Sequence, residues 1–191
     1  MAIADQLAEL NTLRENLATA INGNGVDAST AEGLSSLVQK TGQVVDMLNA
    51  VIDRSVEKVY SLNATSIGIS AFYYCTALTS VDLPAATSIG NYAFYFCTSL
   101  TSVYLPVATS IGNYAFIYCT ALDTLILRKS DTICTLSNTN ALASTPIASG
   151  TGYIYVPAAL VDSYKAATNW TKYADQIRAI EDYPEICGGA V

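Results

Sequence analysis

Three cysteines recur at a fixed spacing, Cys75, Cys97 and Cys119, each 22 residues after the last. A thiol can attack an electrophile, close a disulfide or ligate a metal. Two more, Cys134 and Cys187, bring the total to five, an odd number, so at least one cannot pair within the chain. The 191 residues contain no histidine. Its absence removes Ser-His and Cys-His nucleophilic catalysis, histidine-ligated metals and the common proton shuttle together. No phosphate-binding loop, dinucleotide fingerprint, paired acid and base or metal-spaced cluster appears. No catalytic residue, cofactor site or metal site is therefore assigned, and no enzymatic activity is expected.

The elements that carry the cysteines explain their spacing. "ISAFYYCTAL" (69–78) returns as "NYAFYFCTSL" (91–100) and "NYAFIYCTAL" (113–122). The columns Ile67/Ile89/Ile111, Ala71/Ala93/Ala115, Phe72/Phe94/Phe116 and Leu78/Leu100/Leu122 keep the same period, as do Val81/Val103/Leu125 and Leu83/Leu105/Leu127. A 22-residue period marks a solenoid, in which each coil contacts only its neighbours. Phrases such as "LTSVDLP" end in apolar–polar alternation and then proline, the pattern of a short half-buried strand and its stop. The expected strands are Val56–Ser61, Leu78–Leu83, Leu100–Leu105, Leu122–Leu127 and Tyr153–Val156, running parallel. Gly68, Gly90 and Gly112 are expected at a tight turn. "SDTIC" (130–134) aligns with "ATSIG", which places Cys134 at a glycine position; a seven-residue insertion then separates it from "YIYVP".

Stacked coils put equivalent side chains about 4.8 Å apart and pointing the same way. A disulfide needs Cβ atoms roughly 3.5–4.5 Å apart and turned toward each other. A metal needs ligands that converge on a point, not a line. The cysteine column is accordingly expected to be a ladder of buried free thiols.

The phrase I-G-x-x-A-F-x-x-C-x-x-L-x-x-V-x-L-P resembles the BspA-like leucine-rich repeat, a bacterial surface and phage class, over about Val51 to Val156. The resemblance implies an α/β leucine-rich-repeat solenoid of 22-residue coils. The tail from Gly152 to Ile180 resembles the C-terminal cap of such proteins. The first fifty residues resemble those of leucine-rich repeat proteins encoded by phages of Gram-positive bacteria.

Three parts follow: an N-terminal helical segment (1–49), the solenoid (50–157) and a C-terminal helical cap with tail (158–191). Ile3, Leu7, Leu10, Leu17 and Ile21 fall at heptad-like spacing on a first helix that "NGNG" (22–25) ends. They are the candidates for assembly into a dimer or trimer, with a cap over the solenoid's open end as the competing role. Ser29 and Glu32 open a second helix as a capping box. Pro157 begins the cap helix, through about Ala167; Trp170 and Ile177 cover the last coil; Glu181 onward reads as a loose tail.

Each outward position becomes a column. On the strand face one column reads Tyr60, Asp82, Tyr104, Ile126, Tyr155, and it is the candidate binding surface. On the opposite arc stand Tyr73/Tyr95/Ile117, Tyr74/Phe96/Tyr118, Tyr92 and Tyr114. Thirteen tyrosines on a chain with 13% charged residues make an amphipathic exterior suited to protein or glycan contact. Net charge is −7, with nine Lys and Arg spread thinly, which disfavours nucleic acid as a partner. No apolar run is long enough for membrane insertion. The start of the chain lacks a cationic, then apolar, leader. The expected setting is a virion, assembled in the bacterial cytoplasm and released by lysis, with other virion proteins and a host-surface protein or glycan as partners. The alternative is an adhesin of the bacterial cell surface.

Overall fold

The computed structural model describes residues 56–60, 64–129 and 131–187. The chain divides into two compact units, Met1–Asp53 and Arg54–Val191. The first lies outside the described residues, and with it the predicted N-terminal helices and Ile3, Leu7, Leu10, Leu17 and Ile21.

Each of the first four coils of the second unit gives one strand to each of two parallel sheets. β1 (Lys58–Tyr60), β3 (Ser80–Asp82), β5 (Ser102–Tyr104), β7 (Thr124–Ile126), β9 (Tyr153–Val156) and β10 (Ile177–Ala179) form the larger sheet, in that order. β2 (Ser66–Ile67), β4 (Ser88–Ile89), β6 (Ser110–Ile111) and β8 (Thr135–Leu136) form the smaller. The register follows the repeat: Val59, Val81, Val103, Leu125 and Ile154 pair in sequence, all facing the core, while their neighbours on either side face out. Five strands of the larger sheet form where strands were expected, β9 over the expected residues and the other four in shorter segments, whereas β10 was not expected. The smaller sheet was not expected, because a two-residue strand is too brief to show a period.

Coil-to-coil stacking fills the interior. The Phe94 ring lies between those of Phe72 and Phe116, 5.2 Å from each and within 2° of parallel. Threonines add a second set of ties: the Thr79 and Thr101 hydroxyls donate to the Glu57 and Thr79 carbonyls one coil back, and Thr87, Thr109 and Thr135 do the same along the smaller sheet. The glycine column has a different cause from the expected turn. Gly90 and Gly112 do not have positive φ. Instead a Cβ on Gly112 would lie 2.7 Å from the carbonyl carbon of Gly90, and one on Gly90 would lie 2.7 Å from that of Gly68. Glycine is required here because successive backbones touch.

The seven extra residues enter in three places rather than one. Ser110 pairs with Thr135, an offset of 25. Phe116 N–H donates to the Ala141 carbonyl as Phe94 N–H donates to that of Ala115, so Ala141 stands 26 beyond its counterpart. Thr124 pairs with Tyr153, an offset of 29. The alignment of "SDTIC" with "ATSIG" is thereby corrected: Leu136 fills the isoleucine column, and Cys134 precedes the strand rather than replacing a glycine. The last insertion holds α1 (Pro146–Ser149), which Thr145 caps by accepting from Ala148 N–H at 3.1 Å and Gly150 ends at φ 91°.

The predicted cap helix from Pro157 to Ala167 is a 3-10 turn (Ala158–Leu160) followed by α2 (Val161–Ala166). A 3-10 stretch (Trp170–Gln176) then leads into β10, which extends the larger sheet beyond β9. Trp170, Tyr164, Tyr173 and Ile177 are buried against the last coil. Trp170 Nε1 donates to the Cys134 carbonyl at 2.7 Å, and Cys134 N–H donates to the Tyr164 hydroxyl at 2.8 Å. The expected loose tail is folded as far as α3 (Pro184–Cys187), because Tyr183 and Ile180 have apolar partners on the strand face.

Two predictions test this packing. Phe94→Ala removes a fully buried ring between two others and should destabilise the unit by about 3–5 kcal/mol in urea titration; a loss below about 1 kcal/mol would show that the ring is not core. The second concerns alkali. Burial raises the Tyr164 and Tyr173 hydroxyls from 10.0 to about 12. Raised values favour the neutral phenols of the folded cap, so their contribution is complete below pH 10 and is lost as pH rises through 12. Emission of Trp170, the single tryptophan, should shift to the red over that window; emission unchanged through pH 12 would contradict the burial of both phenols.

Candidate binding surfaces

The cysteine column occupies the core. Cys75, Cys97 and Cys119 are thiols outside any disulfide, buried in successive coils. The Cys97 and Cys119 thiols donate to the Phe72 and Phe94 carbonyls, each at 3.1 Å. Contact with the Cys119 thiol, together with burial, pushes the Cys97 thiol far above its ordinary value. Burial raises Cys134 to about 12. Thiols this hard to ionise are poor nucleophiles. Among the described residues no three cysteine or acidic side chains converge to hold a metal ion. The Cys187 side chain lies outside the described residues.

The strand-face column divides into two halves. Tyr60 is 55% exposed, and Asp82 and Tyr104 are half-buried. Ile126 and Tyr155, expected to face outward, do so, but they are buried by the segment after β10. Ile180 and Tyr183 pack over them, and the Tyr183 ring meets that of Tyr155 edge-on at 5.3 Å. The Glu181 carboxylate fastens this strap by accepting from Ala158 N–H at 2.9 Å. In the adjacent column the guanidinium of Arg178 lies 4.6 Å from the centroid of the Tyr153 ring. Thus Ile126 and Tyr155, the outward residues of the last two coils in this column, are covered from within the chain. Toward the first coils no described segment covers the column, and there Asp82 Oδ1 is buried without a hydrogen-bond partner among the described residues. Burial raises its carboxyl above the ordinary carboxylate value.

A BspA-type leucine-rich repeat region matches residues 55–155 in six copies, more than half of the chain and the same stretch that forms the stacked coils. The chain belongs to the BspA-type leucine-rich repeat family. Comparison with curated proteins gives no match. Such a repeat domain suggests protein–protein interaction or adhesion, a role that uses surfaces rather than a catalytic centre.

The second surface of this BspA-type stack is an aromatic ladder opposite the larger sheet. Tyr73 stacks on Tyr95 at 4.6 Å, Tyr74 on Phe96 at 4.6 Å and Tyr92 on Tyr114 at 5.1 Å. Tyr74, Tyr92 and Tyr118 keep more than a third of their surface exposed. Burial and the neighbouring phenols of Tyr73, Tyr74 and Tyr118 push the Tyr95 hydroxyl upward. The backbone beneath the ladder is left-handed at five aromatics: Tyr74, Phe96 and Tyr118 at φ 61–62°, Tyr92 and Tyr114 at 56–58°. Ser70 and Ser144 take the same conformation at equivalent positions, so the turn demands it whatever the residue. Sequence reasoning missed this, since tyrosine carries no left-handed signal.

The strain is about 1–2 kcal/mol for each L-residue. Each stacked pair returns about 0.5–1.5 kcal/mol. The two nearly cancel, so the ladder adds little to stability. Tyr92→Asn, which suits left-handed backbone, should therefore change unfolding free energy by no more than about 1 kcal/mol in guanidinium titration. A loss above about 2 kcal/mol would make the ladder a structural element instead.

Proposed function

We propose that this chain is a non-enzymatic structural or adhesion protein of a phage particle (a head or tail fibre, baseplate or decoration protein) that presents its repeat face to a host-surface or partner molecule. One observation carries the binding role: the outward column is covered by the chain's own Ile180 and Tyr183 at Ile126 and Tyr155, yet is open at Tyr60 and Asp82. A face that takes an apolar and aromatic strap at one end is suited to take a partner segment at the other. The phage setting is supported by the resemblance of the first fifty residues to those of phage-encoded leucine-rich repeat proteins. In this reading Ile3, Leu7, Leu10, Leu17 and Ile21 join copies into a dimer or trimer, which multiplies weak contacts into firm attachment. The partners are other virion proteins and a host-surface protein or glycan.

The same repeats suit a bacterial cell-surface or secreted adhesin, and detection of the protein in purified virions decides between the two settings. For the surface itself, Tyr60→Ser combined with Tyr104→Ser should weaken binding to host cells or to the particle by roughly tenfold or more. The circular dichroism spectrum should stay that of the native fold. Undiminished binding by the double variant would move recognition away from the strand face.

A further inference from the structure

The inference here rests on the reading that the strand face binds a partner, and concerns the chemical group it receives. Asp82 lies on β3 between β1 and β5, and the register sets it directly beside Tyr60 on one strand and Tyr104 on the other. Parallel neighbours stand about 4.8 Å apart, so the carboxylate has an aromatic residue on each side. One of its oxygens is buried with no donor, although the residue as a whole is part-exposed. A buried acceptor without a partner is unfavourable, and more so when it is charged. Lys58 faces outward on β1, two residues before Tyr60 on the same face, yet it makes no ion pair with Asp82; among the described residues the ion pair is Lys129–Asp131.

The other end of the same sheet supplies the comparison. There Arg178, on β10, seats its guanidinium over the ring of Tyr153, on β9, while donating to the carbonyls of Asp175 and Ile177. The chain therefore already places an arginine on an outward strand-face tyrosine. Tyr60 and the part-exposed Tyr104, which also packs against the Ile126–Tyr155 cluster, offer two such rings, and the part-exposed Asp82 adds a carboxylate between them. The net charge of −7 favours approach of a basic partner.

We propose that Tyr60, Asp82 and Tyr104 form a seat for an arginine side chain of a partner protein, with the guanidinium against a tyrosine ring and donating to the Asp82 carboxylate. Arginine fits better than lysine because its planar group stacks on a ring and presents donors in a fixed fork, whereas an ammonium is a compact, strongly hydrated charge.

The test titrates the full chain with acetylated, amidated pentapeptides, glycine except for a central arginine, lysine or glutamine, followed by amide NMR shifts. The arginine peptide should shift the amides of residues 58–60, 80–82 and 102–104 saturably, in the millimolar range expected of one side chain. The lysine peptide should act more weakly and the glutamine peptide not at all. Asp82→Asn should weaken arginine binding by about tenfold or more. Asp162→Asn, an exposed acid on α2, should leave it within about twofold. Tyr60→Leu, a change at an exposed ring, should weaken it severalfold and serves if Asp82→Asn fails to fold. Equal weakening by Asp82→Asn and Asp162→Asn, or shifts spread over the surface acids, would reduce the effect to diffuse charge attraction and overturn the seat. So would equal response to all three peptides, tighter binding of lysine, or no saturable shift. Loss of host or particle binding in the tyrosine double variant, with no arginine response, would sink the seat and leave the strand-face reading standing. An intact arginine seat on a chain that binds neither host nor particle would do the reverse.

Discussion

Every repeat coil of this protein is hydrogen-bonded to the next, and the spacing of parallel backbones, about 4.8 Å, governs what each position can hold. A residue that faces its own copy one coil later must be able to stack on that copy. Phenylalanine can, and does so nearly parallel at Phe72, Phe94 and Phe116. Cysteine can, as a small thiol whose hydrogen goes to the carbonyl of the preceding coil. Threonine can, through its hydroxyl. At Gly90 and Gly112 nothing larger than hydrogen fits, because the backbone of the preceding coil is in contact. The 22-residue repeat is the written form of this constraint: columns are uniform where neighbours touch, and free to vary where they face outward.

That freedom explains how legible the fold was. The larger sheet, the core columns and the inert cysteine ladder follow from residue type and offset alone. What escaped reading are features that leave no trace in residue type. A two-residue strand at Ser88–Ile89 cannot show alternation. A left-handed backbone under Tyr74 or Tyr118 is dictated by the turn, and the chain fills it with residues that suit that conformation poorly. The insertion was read as one block because "SDTIC" mimics "ATSIG" by chance, whereas the coil absorbs extra residues wherever a bend can widen: before β8, after it, and around α1. On the candidate surface, the outward direction of the strand column was legible from its alternation. Its division into a covered and an open half was not, since that depends on where Ile180 and Tyr183 come to rest after two irregular turns.

The C-terminal segment does two jobs that the stacking constraint makes necessary. A solenoid ends in an unpaired sheet edge and an exposed core cross-section. Trp170, Tyr164 and Tyr173 close the cross-section, and they satisfy the irregular backbone around Cys134 and Thr139 with an indole N–H and two phenol hydroxyls. β10 then pairs with β9 and moves the sheet edge to a strand of three residues. The chain continues past that edge and folds back over Ile126 and Tyr155, so covering the apolar end of the strand face follows from capping the stack.

A stack of this kind offers lines of like groups, which suits attachment over an extended face. Catalysis and metal binding need unlike groups brought to a point, whereas stacking like coils brings like groups into lines. Lines of tyrosine give extended contact area with hydroxyls along it, which is what an adhesive face uses. Departures from uniformity then carry the specificity. Two residues depart from tyrosine in the strand-face column: Ile126, which lies under the strap, and Asp82, an acid set between Tyr60 and Tyr104. Its buried oxygen has no donor, and the core gains nothing from an unpaired carboxylate there. On the proposed reading, a residue that stability does not require, on the part of the face that no described segment covers, is the place to look for recognition.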